Sequence, residues 1–337
     1  MKGKLCVNTA ALVVISLALL LTAGMSAPSF GGKPDGGSTT KKVLFVASYN
    51  TKNPWSGGIK AGIESVLKTR DDIELRVVDM DTLGVQSEEI KEKAALLAKR
   101  EIEAYRPDVV ITSDDNAAKY LIATYYKDAD LPFVFCGVNW DASKYGFPSK
   151  NVTGMIEVQL IDHLVAYLAP YAKGNRIGSL RGDTMTNQIE AGYFERQLNA
   201  KIKTYFVKDI DEWEKKFVQL QDEVDMVLLG DIDTIELNGQ SKENVEHFIY
   251  TNTRIPTGHW DAWFRKNALI TLATIPQEQG EYAATAALEI LDGKSPADMP
   301  LVKNQKARIY LNMKLAKKLG ILFPMDLIDS SEIIPAD

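Results

Sequence analysis

The chain has 337 residues, with 39 basic and 45 acidic side chains and a formal net charge of −6. That length suggests about two domains, and the acidic balance argues against nucleic acid and anionic lipid surfaces as partners. Cys6 falls in an N-terminal segment read below as cleaved, so Cys136 is left as the one cysteine and no intramolecular disulfide is expected. Cys136 ends an apolar run and reads as a small buried hydrophobe rather than a nucleophile.

Lys2 and Lys4 precede an uncharged stretch, residues 10–21, and then a run of small residues, 22–27. These are the basic, apolar and small-residue regions of a secretory signal peptide, and the apolar run is shorter than the ~20 residues of a spanning helix. Residues 21–24 resemble a lipoprotein cleavage box, but Met25 stands where the lipidated cysteine belongs. Residues 1–27 therefore read as the signal of a soluble, extracytoplasmic protein. Residues 28–41, rich in Gly, Pro, Ser and Lys, read as a flexible leader.

The folded chain begins with residues 43–47, an apolar run typical of a strand buried on both faces. A polar loop follows, and Asn53-Pro54 marks a helix start, with Asn as cap and Pro where its missing N–H costs nothing. Gly58 and Gly62, four apart, keep one face of that helix thin enough to lie close to a neighbour. The alternation continues with a strand over 73–78, a helix over 87–105, a strand over 108–112, a helix over 116–126 and a strand over 133–136. A second series starts near Val152, with helices over 159–168, 186–199 and 211–220 and strands over 176–180, 203–207, 224–229 and 269–273. Such alternation predicts parallel, doubly wound sheets, and two similar series predict two α/β lobes with a cleft between them.

In open α/β sheets ligands bind where loops leave the carboxyl ends of the strands. Here those loops hold Ser48, Tyr49 and Asn50, with Trp55 beyond; Ser113, Asp114 and Asp115; Asn139 and Trp140; Arg181 and Asp183; Asp231 and Asp233; and His259, Trp260 and Asp261. Nearly every one offers a carboxylate or an amide, and several add a ring. Each Asp has an alternative reading, because Asp114, Asp115, Asp183 and Asp231 precede expected helices whose free N–H groups they could cap. It is the set that points to binding. No Gly-x-Ser-x-Gly elbow, His-Glu-x-x-His or Walker loop is present. His163 and His247 fall in amphipathic helices, and His259 with scattered carboxylates lacks metal-ligand spacing. Neither a metal nor a cofactor is expected.

Ser48-Tyr49-Asn50…Pro54-Trp55…Gly58…Gly62, Ser113-Asp114-Asp115…Ala118 and Phe135-Cys136-Gly137-Val138-Asn139 resemble the substrate-binding proteins of ABC importers. The group they are similar to has the type I periplasmic-binding fold and includes binders of aromatic amino acids. Val152-Thr153-Gly154…Glu157 is similar to the family's first crossover between lobes, and residues 271–293 and 309–320 to the return segment and the last crossover. The likeness covers residues 42 to about 325. It implies two lobes joined by three crossovers: 42–153 with about 276–307, and 154–275 with about 308–337. One departure bears on the ligand: the loop with Trp260 and Trp263 is richer in Trp than the family pattern suggests.

The resemblance implies a monomer that captures a small solute by hinge closure and presents it to an importer's membrane subunits. A sensor that hands its ligand to a receptor kinase, or a hydrolase or isomerase on the same scaffold, are the competing readings. Tyr49, Trp55, Trp140 and Trp260 could bury an apolar or aromatic body, and Asp115, Glu157, Asp183, Asp231 and Asp233 outnumber Arg181. That excess favours an amine-bearing solute such as an amino acid, whose carboxylate Ser48, Ser113 or helix N–H groups would receive. A sugar is the runner-up.

Overall fold

A computed structural model describes residues 40–336. The expected signal peptide, residues 1–27, and nearly all of the leader lie outside the described residues. The chain runs through β1 (Lys41–Ala47), α1 (Pro54–Leu67), β2 (Ile73–Asp79), α2 (Glu88–Tyr105), β3 (Val109–Ser113) and α3 (Asp114–Asn116), which continues as a wider π-helical stretch over Ala117–Tyr126. β4 (Phe133–Asn139), β5 (Val152–Glu157), α4 (Ile161–Leu168), β6 (Ile177–Gly182), α5 (Met185–Leu198), β7 (Lys203–Val207), α6 (Ile210–Leu220) and β8 (Met226–Leu229) follow. The remainder is α7 (Lys242–Asn252), β9 (Thr257–His259), β10 (Ile270–Thr274), α8 (Pro276–Leu291), β11 (Val302–Lys303), β12 (Ala307–Asn312), α9 (Met313–Leu319), α10 (Met325–Asp329) and β13 (Glu332–Ile334).

These strands form two sheets, ordered β2-β1-β3-β4-β5-β11 and β7-β6-β8-β9-β10-β12-β13. Alternation along β1 shows why each sheet needs two helical layers. Val43, Phe45 and Ala47 pack with Ile59 and Ile63 of α1 and Ala283 and Ala284 of α8. Leu44 and Val46 face the other way, into a core with Ala95, Ala98 and Leu121. The second lobe repeats the plan: Leu180, Val227 and Leu229 meet Trp213 and Phe217 of α6, while Met226, Leu228 and Ile270 meet Leu164 and Phe194. Cys136 is fully buried, and among the described residues no helix is long and apolar enough to cross a membrane.

The fold is the expected pair of doubly wound lobes, with two differences in detail. β5 pairs with β4 from Phe133↔Val152 to Asn139↔Glu157, so this strand belongs to the first sheet along its whole length. β12 pairs with β10 antiparallel, the one antiparallel pair among otherwise parallel ladders of the described residues.

Three segments cross between the lobes: the ends of β5 and β10, and residues 304–306 after β11. Side chains tie them together. Asn304 accepts from Val158 N at 2.8 Å and donates Nδ2 to Val158 O at 3.0 Å. The Glu278 carboxylate takes the backbone N–H groups of Gln305 and Lys306, both at 2.9 Å.

Helices α1 and α8 meet at glycines. A Cβ added to Gly62 would lie 2.3 Å from Gln277 O, and one added to Gly280 only 2.0 Å from Ile59 O. Backbone cannot yield there as a flexible side chain can, so Gly280→Ala should destabilise the protein by about 1–3 kcal/mol in urea unfolding. Gly192→Ala, on α5, would meet only Arg196 Nη1 at 3.5 Å and should instead be neutral or stabilising by up to ~1 kcal/mol. Equal effects from the two substitutions would contradict the close-packed α1–α8 seam.

Candidate functional site

The carboxyl ends of both sheets face one another across a cleft of about 720 Å³, within the ~300–1,000 Å³ usual for small-molecule sites. Tyr49, Trp55, Asp114 and Asn139 wall it from the first lobe, and Asp261, Trp263, Arg308 and Tyr310 from the second. Glu157, Gln159, Thr274 and Gln277 line it at the crossovers. Another crevice, of about 340 Å³, lies between Glu243, His247, Lys266 and Lys314. It touches the second lobe alone, so rotation of the lobes would not close it.

Local sequence sets the first wall. The Asn53 side chain accepts from Trp55 N at 2.9 Å and starts α1, which holds the Trp55 ring at the cleft. Its indole Nε1 donates to Asp114 Oδ1 at 2.8 Å. Asp114 takes a left-handed backbone, φ 68°, a conformation Asp tolerates better than most residues. Opposite it Gly137, also at positive φ, leaves the room: a Cβ there would lie 3.0 Å from Asp114 Oδ1.

Charge in the cleft is one-sided. Asp114 is 2% exposed, its Oδ2 has no hydrogen-bond partner, and burial pushes its pKa up to about 7. Glu157 is raised too, first by desolvation and then by the nearby Asp114, Asp261 and Asp115. Desolvation, with Glu190 and Asp231 beside it, pushes Asp261 up to about 7, with its side chain 45% open to water. The Tyr49 hydroxyl is held well above its usual range by burial and by Asp114. Arg308, the one cation among the lining residues, pairs with Glu332 at 3.1 Å. Among the described residues no cluster suits a metal ion.

Of the residues singled out from sequence, the structure brings Tyr49, Trp55, Asn139 and Glu157 together at the cleft. The others take supporting positions. Ser48 is buried, donating to Ser113 O and accepting from Ala117 N at 2.8 Å, which ties β1 to β3 and α3. Ser113 is buried beside it, and Asn50 closes its own turn by accepting from Lys52 N. Asp115 accepts from Asn139 Nδ2 at 2.8 Å and from the Tyr145 hydroxyl at 2.6 Å, so it orients Asn139 from behind. Trp140 donates to Gln159 Oε1 at 2.8 Å and stacks on Tyr193 of the second lobe, 5.2 Å between centroids.

Asp183 is exposed and holds Gln188. Asp231 caps the short turn after β8 by accepting from Asp233 N, and Asp233 pairs with Lys242 at 2.6 Å. Trp260 is 5% exposed and packs in the second-lobe core, with the Arg181 guanidinium 4.7 Å from its ring. Arg181 is itself buried and paired with Glu190. Capping, the alternative reading of the loop aspartates, fits Asp231 only: Thr184 caps α5 and α3 has no side-chain cap. His163 and His247 lie exposed on α4 and α7. His259 is buried and donates Nδ1 to Leu229 O; desolvation drives its pKa down to about 3, so it is neutral.

Sequence reasoning passed over Asp114, Asp261 and Trp263 as site residues, although all three stood in the loops it selected. Gln159, Arg308 and Tyr310 carried no signal, since each reaches the cleft only through a crossover.

The family model that matches the chain, over residues 56–332, is described as ABC transporter substrate binding protein. No curated protein sequence matches. Among solved structures, the ligand-free, open form of a substrate binding protein with adhesive properties from Clostridium difficile has a TM-score of 0.69 at 16% identity, covering 88% of this chain and 100% of that one. A domain from Streptococcus pneumonia in complex with L-Trp has 0.55 at 18%, covering 88% and 100%. A periplasmic ribose ABC transporter protein from Conexibacter woesei has 0.57 at 14%, covering 86% and 97%. At these identities the likeness is one of fold.

The raised Asp114 pKa has a stability consequence. The folded protein holds this proton up to about pH 7, whereas the unfolded chain releases it near 3.9. Stability of the empty protein should therefore fall as pH rises from about 4 to about 7. Asp114→Asn, which keeps an acceptor for Trp55, should flatten that fall and gain on the order of 2 kcal/mol at pH 7.5 in chemical denaturation. An unchanged pH profile would contradict the buried, proton-holding carboxyl.

Proposed function

The chain belongs to the family of ABC transporter substrate-binding proteins, and from that premise we propose that it captures an amine-bearing solute with an aromatic or apolar body and delivers it to an importer's membrane subunits from outside the cytoplasm. The observation that carries the ligand class is the cleft's charge: three carboxylates, Asp114, Glu157 and Asp261, face the space against one cation already paired.

An ammonium supplies what these groups lack, a charge-assisted donor for desolvated carboxylate oxygens. Rings supply the rest. Tyr49, Trp55 and Trp263 line the same space, and burying a ring of ~150–250 Å² contributes roughly 4–6 kcal/mol before association entropy is subtracted. Aromatic faces also attract cations directly. Neighbours of similar fold are described with L-Trp or as ribose transporters, so the fold leaves the ligand open and the lining residues must discriminate. A sugar would use the same carboxyl groups as acceptors but would bring no charge to hold them ionised.

Delivery follows from hinge geometry. A ligand touching Asp114 on one lobe and Asp261 on the other stabilises the closed arrangement by contacts the open one lacks. The crossovers, short and bonded to one another through Asn304 and Glu278, would absorb the rotation. Binding without chemistry is the corresponding reading of the site: the buried His259 is neutral and Cys136 lies away in the core.

Saturating the protein with a ligand it binds should reduce its radius of gyration in solution scattering and raise its melting temperature. About 100-fold excess over Kd adds roughly 2.7 kcal/mol to stability. Tight binding with no compaction would contradict capture by lobe closure.

A further inference from the structure

We infer that Gln159 selects for an oxygen acceptor that the solute carries besides its amine, a carboxylate or an amide carbonyl, and that Trp140 is the positioning residue that fixes Gln159 as the donor. This rests on the proposed reading of the cleft as a capture site for an amine-bearing solute, and narrows it.

Gln159 lines the cleft just after β5 and is 9% exposed. Its Oε1 accepts from the Trp140 indole at 2.8 Å. An indole N–H only donates, so the amide must turn its oxygen to Trp140 and its NH2 group away. Among the described residues nothing engages Nε2, and unlike the sealed Gln279 Nε2 it keeps contact with solvent. Gln159 therefore offers a ligand a donor that cannot turn over to become an acceptor.

Trp140 is held in a conformation that only its surroundings can impose. Its backbone is left-handed, φ 59°, which is rare for so bulky a side chain. Strain of this kind gathers at functional sites. Trp140 N donates to Glu157 O at 2.9 Å, and the ring stacks on Tyr193 with 5.2 Å between centroids. The Arg196 guanidinium lies 4.2 Å from that Tyr193 ring. Backbone and ring thus fix the indole N–H, and the indole fixes the amide.

Asn139 is turned the opposite way. Its Nδ2 donates to Asp115 at 2.8 Å, a carboxylate also engaged by the Tyr145 hydroxyl and by Lys144. That leaves Asn139 Oδ1 as an acceptor. One amide at the cleft calls for a donor and the other for an acceptor, and a solute with an ammonium and a carbonyl or carboxylate oxygen supplies both. Other lining groups discriminate less. The Tyr49 and Tyr310 hydroxyls donate or accept, and no side-chain bond fixes the Gln277 amide. Asn53, half-buried with Oδ1 on Trp55 N, and Trp263, 48% exposed, donate from positions more open to water, where a hydrogen bond is weaker.

The test is calorimetric titration of the purified protein with matched sets: phenylalanine, its amide and phenethylamine; valine, its amide and 2-methylpropylamine; ornithine, its amide and 1,4-diaminobutane; D-ribose is run alongside. In at least one set the acid or the amide should bind about tenfold or more tightly than the amine that lacks the oxygen, which is about 1.4 kcal/mol, and in none should that amine win. The amide arm separates a neutral carbonyl from a carboxylate. Gln159→Glu keeps an acceptor for Trp140 but replaces the donor by an oxygen, so it should erase or reverse the difference. Trp140→Phe keeps a ring on Tyr193 but frees the amide to turn, so it should shrink the difference. General destabilisation weakens every member of a set alike and leaves these ratios in place. An amine that binds as well as its acid and its amide overturns the inference and leaves the amine reading standing. A ratio that survives Gln159→Glu overturns the role of Gln159, and one that survives Trp140→Phe overturns the positioning role of Trp140. Binding of D-ribose with no response to any amine-bearing probe overturns the amine reading and the inference together. No binding in any set up to about 1 mM likewise counts against both.

Discussion

Everything at the cleft follows from placing negative charge where water is scarce. Asp114 sits 2% exposed at the end of a central strand, and that burial pushes its pKa up to about 7. A fold selected only for stability would put an apolar side chain there, since an unpaired buried charge destabilises. The surroundings are built to keep it. β3 delivers it, Gly137 makes room for it, and Trp55 donates a hydrogen bond to its Oδ1. Glu157 and Asp261 extend the same charge to a crossover and to the second lobe. On the proposed reading, the stability withheld in the empty protein would be returned when an ammonium enters and the lobes close over it, so the penalty would itself drive capture.

Closure requires rigid lobes and a soft connection. The lobes are rigid because each sheet is sandwiched by close-packed helices, down to glycine contacts between α1 and α8 where one methyl group has no space. The connection is three short backbone segments stitched by few side chains, Asn304 across to Val158 and Glu278 across to Gln305 and Lys306. These bonds lie at the crossovers and need not break when a few dihedrals change. The Trp140–Tyr193 stack bridges the lobes close to the same axis.

Much of the fold was legible in the sequence because it is written in local pattern. The run 43–47 is buried on both faces, and Asn53-Pro54 caps and opens α1 as its chemistry demands. Sheet membership is not local. β5 reads as a strand from its residues, but its place beside β4 depends on a partner elsewhere in the chain, and so does the reversed direction of β12 against β10. The site was legible at the level of loops and not of side chains. Asp114 and Asp115 are neighbours with the same chemistry, yet a single backbone reversal at φ 68° turns one towards the cleft and leaves the other behind Asn139. Trp260 and Trp263 divide likewise, the first buried against Arg181 and the second lining the cleft. Arg181 stood out as the site's cation, but nothing nearby in sequence reveals that Glu190, in the second turn of α5, neutralises it.

The most direct measurement is of protons. Asp114 titrates near neutrality in the empty cleft, so a bound ammonium must lower its pKa and expel the proton it holds. Calorimetric titration of the bound amine at pH 6.5, repeated in buffers of different ionisation enthalpy, gives the number of protons exchanged. Net release, reduced in Asp114→Asn, is the expected result. Binding with no proton exchange, or with uptake, would contradict a cation held by the buried carboxylates.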